Sequence, residues 1–149
     1  MRAYKVYAIK NGTAIDHIPQ GRALKVIDVL DLEEEKGIVT CGMNFESKRL
    51  GKKDVVKIEN KELEPKEVNA ITIVAPTATL NIIRNFKVAK KIKVKVPKVI
   101  EEIVECNNPN CITRNEKVPT KFYPISSHPL VIKCHYCERT IPYEEITLL

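Results

Sequence analysis

Cys106-Asn107-Asn108-Pro109-Asn110-Cys111 and, after 22 intervening residues, Cys134-His135-Tyr136-Cys137 form two cysteine hooks. Each hook brings two sulfurs within reach of one ion, and a β-type stretch between them can fold back to join the pairs. Four thiolates close a tetrahedron around Zn²⁺ and leave no position for water, so such a site organises structure rather than performing chemistry. The C-terminal third is therefore predicted to be a small antiparallel β domain built on one structural zinc, held by Cys106, Cys111, Cys134 and Cys137. His135 lies inside the second hook, but four cysteines already satisfy the ion. Two disulfides are the competing use of four cysteines. The chain opens without a signal peptide, which points to a cytoplasmic, reducing setting where thiols stay free.

Working outward, the charge divides unevenly. The formal net charge of the 149 residues is +6. Through Lys95 there are 19 Lys and Arg against 12 Asp and Glu; from Val96 onward there are 6 against 7. An anionic ligand is thus expected on the N-terminal part. No apolar run approaches the ~20 residues that cross a bilayer. A domain boundary is expected near Val96, giving an N-terminal domain over 1–96 and a zinc domain over 97–149. The second is small enough that metal binding supplies folding energy.

The N-terminal part reads as α+β: a mostly antiparallel, ferredoxin-like sheet with two helices on one face. Val6–Lys10 and Thr13–Ile18 are strand-like around Asn11-Gly12, a hairpin signal. Arg22–Leu32 carries Ala23, Leu24, Ile27 and Leu30 at helical spacing, and Glu33-Glu34-Glu35 follows as a solvated turn. Gly37–Met43 reads as a buried strand, with Cys41 a small core residue, and Asn44–Gly51 as a loop. Lys53–Glu59 alternates as a strand. Pro65 opens a short helix to about Ala70. Ile71–Val74 and Leu80–Lys90 read as strands, and Lys91–Pro97 alternates lysine with Ile or Val.

Candidate chemistry is sparse. Asp16-His17 offers a carboxylate beside an imidazole, but no nucleophile with an adjacent base accompanies it. Lysines 52, 53 and 57, and lysines 87, 90, 91, 93 and 95, form basic clusters suited to phosphate. There is no P-loop and no Gly-x-Gly-x-x-Gly turn, so strand side chains would have to hold a nucleotide. A zinc-ribbon protein binding nucleic acid is the rival class. Few aromatics for stacking (five Tyr, three Phe, no Trp) and an acidic zinc module oppose it.

Three further segments run in order with the cysteine quartet. They are Val6-x-Ala8-Ile9-Lys10-x-Gly12-Thr13-x-Ile15-Asp16-His17-Ile18-Pro19, Gly51-x-Lys53-Asp54-x-x-Lys57-Ile58-Glu59-Asn60, and Ala75-Pro76-x-Ala78-Thr79-x-Asn81. Together they resemble the regulatory chain of aspartate carbamoyltransferase. The resemblance implies a non-catalytic subunit whose N-terminal domain binds CTP and ATP at one site, with UTP acting alongside CTP. It implies a zinc domain docking on the catalytic chain, homodimers formed through the N-terminal domains, and three dimers bridging two catalytic trimers. By position it places Ala8, Ile9, Asp16, His17, Lys57, Asn81, Ile83, Phe86, Val88 and Lys91 in the nucleotide pocket. Phe86 stands where the family often has Tyr. Asn108, Asn110, Glu138 and Arg139 match positions at the contact with the catalytic chain.

Overall fold

The computed structural model describes residues 8–149. They form two compact units, one running through Lys95 and one from Val96 to Leu149. The strand expected over Val6–Lys10 lies partly outside the described residues; Ala8, Ile9 and Lys10 are not in a strand.

The first unit has strands β1 (Gly12–Pro19), β2 (Val39–Ser47), β3 (Gly51–Glu59), β4 (Thr79–Arg84) and β5 (Lys87–Lys93). Its helices are α1 (Ala23–Val29) and α2 (Pro65–Val74). The sheet order is β2-β3-β1-β4-β5, and every neighbouring pair is antiparallel. The βαββαβ order with β1 and β3 central is the ferredoxin-like arrangement, with β5 added outside β4. Both edges of β1 are occupied, by β3 and β4, so Asn11-Gly12 does not close a hairpin onto it. Gly12 is instead required for contact: at φ +145° a Cβ there would sit 2.1 Å from the Ile58 carbonyl oxygen.

Other sequence expectations shift for identifiable reasons. The helix expected over Arg22–Leu32 ends at Val29, and a 3-10 turn over Leu32–Glu34 follows Asp31 at φ +51°. Asn44–Gly51 is not all loop: β2 continues to Ser47 through a bulge between Gly42 and Phe45, where Asn44 takes φ +66°. The β-branched run Ile71–Val74 is the last turn of α2, not a strand. Those four residues are buried there, so packing outweighs strand propensity. Leu80–Lys90 is two strands with a turn at Asn85-Phe86. β2 is an edge strand, and Cys41 on it is exposed rather than part of the core.

The core of this unit is aliphatic: Ile15, Ile18, Val26, Val56, Ile58, Ile71 and Ile73 are almost wholly buried. Among them sits one carboxylate, Asp54, with no exposure. It accepts hydrogen bonds from the backbone N–H of Gly21 (3.0 Å), Ala23 (3.2 Å) and Asn44 (3.0 Å). It therefore fixes the β1–α1 turn, the first turn of α1 and the β2 bulge to one point on β3.

The second unit has β6 (Ile100–Glu101), β7 (Val104–Glu105), a single helical turn α3 (Ile112–Asn115), β8 (Lys121–Ser127), β9 (Leu130–Cys134), β10 (Thr140–Pro142) and β11 (Thr147–Leu148). Its sheets are β10-β9-β8-β6 and β11-β7. Ile100, Val104, Phe122, Leu130, Ile132 and Ile141 fill its small core.

Candidate metal centre and sheet cavity

The hairpin of β8 and β9 returns the chain so that Cys134, the last residue of β9, faces the first hook. The four cysteine sulfurs all lie within 4.8 Å of one another. Cys106 and Cys137 Sγ atoms are 3.6 Å apart, and those of Cys111 and Cys134 are 3.8 Å apart. A tetrahedron with Zn–S bonds of ~2.3 Å has edges of about 3.8 Å, so the sulfurs are spaced for one zinc ion. Cys106, Cys111 and Cys134 are buried and Cys137 is half-buried. His135 is outside the cluster; its Nδ1 hydrogen-bonds the Tyr123 hydroxyl at 2.8 Å.

Burial pushes the Cys106 thiol up to about 12, and burial also raises Cys134. Burial acts in the same sense on Cys137, but the backbone N–H of Arg139 and the Asn108 side chain outweigh it and bring that thiol down to about 7. Zinc, once held by four thiolates, carries net charge −2 and supplies the cross-link that the small core lacks.

Asn108, Asn110, Glu138 and Arg139 surround this centre. Asn108 Oδ1 accepts from the Asn110 backbone N–H at 3.0 Å, tightening the first hook. Glu138 takes φ +61° just after Cys137. Asn110, Glu138 and Arg139 are exposed.

On the first unit, one register row crosses all five strands. Thr40 pairs with Lys57, Lys57 with Ala14, Ala14 with Asn81, and Asn81 with Lys91. Directly paired residues share a sheet face, so two lysines stand on one side of the sheet, separated by small or polar residues. Above this face is a cavity of about 530 Å³ lined by Ala8, Ile9, Ala14, Asp16, Val55, Lys57, Asn81, Ile83, Phe86 and Val88. It contains eight of the ten positions expected from the resemblance. His17 and Lys91 are not in the lining. Ala14 and Val55 were missed, though strand alternation points to them, each two residues before a lining side chain.

The rim is charged. Lys53 Nζ lies 2.9 Å from Asp16 Oδ1, and the His17 backbone N–H donates to the same carboxylate. Burial works to raise the Asp16 carboxyl, but the Lys53 bond, the His17 amide and nearby positive charge hold it below its ordinary value. Asp16-His17 occupies a bulge inside β1, with His17 at φ +55°. The His17 ring shares a 3.1 Å hydrogen bond with Thr79 Oγ1, and its carbonyl accepts from Thr77 Oγ1 at 2.7 Å. Burial lowers its basicity; Asp16 opposes this, while Lys53, Arg49 and Lys91 add to it. The His17 ring thus lies among three cations, one of which, Lys53, is paired with Asp16.

Fold and sites define a class: a two-unit α+β chain with a cavity on its sheet and a thiolate metal module beside it in sequence. The chain matches the family described as aspartate carbamoyltransferase regulatory chain, allosteric domain, over residues 4–95. It matches the metal binding domain of the same regulatory chain over residues 98–147. It is 60% identical over 148 residues to the aspartate carbamoyltransferase regulatory chain of Pyrococcus horikoshii, covering 98% of this chain and 97% of that one. The corresponding chain of Pyrococcus furiosus is 59% identical over 148 residues, with the same coverage. That of Bacteroides thetaiotaomicron is 46% identical over 148 residues, covering 99% and 97%. The chain belongs to the family of aspartate carbamoyltransferase regulatory chains, whose pathway is pyrimidine biosynthesis.

Proposed function

We propose that this chain is a non-catalytic allosteric subunit, cytoplasmic, that binds CTP and ATP at one site, with UTP acting beside CTP. The row Thr40–Lys57–Ala14–Asn81–Lys91 beneath the cavity carries this reading. A cavity of this volume suits a base and ribose, and Ile9, Ile83, Val88 and Phe86 give it an apolar wall. Lys57 reaches the ribose side, while Lys91 stands opposite Asn81 where a phosphate tail leaves the cavity. The backbone of Ala8 and Ile9 reads the base edge. His17 lies outside the lining but supports the phosphate side through its charge environment.

Signal transfer needs a partner. The zinc module, with Asn108, Asn110, Glu138 and Arg139 around its hooks, docks on the catalytic chain; three regulatory dimers bridge two catalytic trimers. The outer edge of β2 is available to a second copy, and Ile38 and Met43 beside it are 52% and 43% exposed. An effector shifts the assembly only by its differential affinity for two quaternary states, typically ~1–3 kcal/mol.

Calorimetry with CTP on the wild-type and Lys57→Ala chains tests the pocket. The expected result is at least tenfold weaker binding in the variant; equal affinity would sink the assignment. Co-purification with a catalytic chain, then activity with and without CTP, tests the regulatory role.

A further inference from the structure

We propose that Arg114 is a positioning residue of the metal centre, clamping the carbonyl of Cys106 so that this cysteine presents its sulfur to the ion. The inference rests on the thiolate site and adds a residue outside the ligand set.

The first hook ends at Cys111, the residue just before α3; the Arg114 N–H donates to the Cys111 carbonyl at 2.9 Å. From that turn the Arg114 side chain runs back to the beginning of the hook. One terminal guanidinium N–H donates to the Cys106 carbonyl at 2.8 Å, and Nε lies 3.4 Å from Glu105 Oε1. The guanidinium thus closes a ring that contains both cysteines of the hook. Fixing the Cys106 carbonyl fixes the peptide plane next to its Cα, and with it the direction of the Cα–Cβ–Sγ arm.

Glu105 is held in turn by the pairing of β7 with β11, where it stands opposite Thr147. The next carbonyl along the hook, that of Asn107, accepts from Arg139, two residues past the second hook, at 3.4 Å. The Thr113 hydroxyl donates to Cys111 Sγ at 3.2 Å. Groups around the four sulfurs are therefore oriented by a shell of donors; the Asn108 backbone N–H reaches the Cys106 sulfur, and Arg114 holds the Cys106 carbonyl. Its cation also lies beside a centre that carries net charge −2 when zinc is bound. A forked guanidinium serves the carbonyl and the carboxylate together; a lysine ammonium has no such fixed geometry.

Removing an outer-shell partner of a metal ligand typically costs 10–100-fold in affinity. The test uses the full zinc-loaded chain and the variants Arg114→Gln, Arg114→Lys and Glu105→Gln. Zinc transfer to a coloured chelator is timed, and the cobalt(II) forms are compared by their thiolate charge-transfer and d–d absorption. We expect Arg114→Gln to release zinc at least tenfold faster, with altered cobalt bands. Arg114→Lys should recover little of the rate, and Glu105→Gln should fall between it and wild type. If Arg114→Gln fails to fold, Arg114→Lys carries the test alone. Release at the wild-type rate in either Arg114 variant overturns the proposal, as does faster release with an unchanged cobalt spectrum.

Discussion

Asp16 and Lys53 form a 2.9 Å ion pair at the rim of the sheet cavity, across the β-bulge that also turns His17 to positive φ. Both side chains are about a quarter exposed, so solvent screens the pair and it contributes at most ~1 kcal/mol. Its larger consequence is electrostatic: at the rim Lys53 is already engaged, and His17 is held below its ordinary basicity.

That arrangement fixes the sign of a pH effect. The folded chain lowers the basicity of His17 below its ordinary value of 6.5. This stability contribution is fully present above pH 6.5 and is lost as pH falls from there toward the folded value. A bound triphosphate acts oppositely, favouring the imidazolium. CTP binding is therefore expected to take up a proton at His17 below pH 6.5, and the His17 contribution to binding is expected to strengthen as pH falls. Calorimetry in two buffers of different ionisation enthalpy measures the proton directly; His17→Gln should remove the imidazole's share and leave only that of the terminal phosphate, whose ionisation lies at about pH 6.

Asp54 gives the largest expected stability loss in the first unit. Its carboxylate is wholly buried and accepts three backbone N–H groups. Asp54→Ala leaves those donors unsatisfied, at a cost of about 3–4 kcal/mol. The urea midpoint should fall accordingly. Because Asn44 is one of the three partners, hydrogen exchange should rise first at the β2 bulge and the start of α1.

Metal removal should separate the two units. The unit from Val96 to Leu149 has a core of a few aliphatic side chains and one Phe, small for independent stability. Stripping zinc, or Cys111→Ser, is expected to unfold it while the first unit keeps its circular dichroism and CTP affinity. In the unfolded, metal-free unit the four cysteines are ordinary thiols, with a pKa of about 8.5, and are mostly protonated at neutral pH. Zinc uptake therefore releases protons, and apparent affinity should climb with pH between about 6 and 9. A pH-independent affinity would contradict four-thiolate ligation.

How much of this was legible in the sequence depends on the kind of signal. The hooks announced the metal site because ligand spacing is local: Cys106-x4-Cys111 and Cys134-x2-Cys137 constrain one ion whatever surrounds them. The antiparallel α+β class was legible from alternation in Lys53–Glu59 and helical spacing after Arg22. What failed were choices that tertiary packing makes. Ile71–Val74 has strand-forming residues, yet it ends a helix because α2 buries that turn. The hairpin at Asn11-Gly12 was a sound local signal, overruled when β3 and β4 took both edges of β1. Cys41 looked internal because its neighbours are apolar; being on the edge strand left it exposed. Arg114 carried no signal at all, since its partner is a backbone carbonyl eight residues away.

Phe86 sits at the turn between β4 and β5 with φ +65°, preceded by Asn85 at φ +52°. Asn is at ease in that conformation, whereas an aromatic residue is strained there, at a cost of roughly 1–2 kcal/mol. The Phe86 N–H donates to the Lys10 carbonyl at 2.9 Å, which holds the turn against the segment entering β1. The residue is 65% exposed, so burial offsets little of the strain, yet it lines the cavity. Strain retained at a ligand wall suggests a trade between stability and binding. Phe86→Gly should therefore raise the thermal midpoint of the first unit, by an amount matching about 1 kcal/mol, while weakening CTP binding several-fold. Differential scanning calorimetry and titration on the same sample decide it. A variant that gains stability and binds CTP as tightly as wild type would remove Phe86 from the pocket.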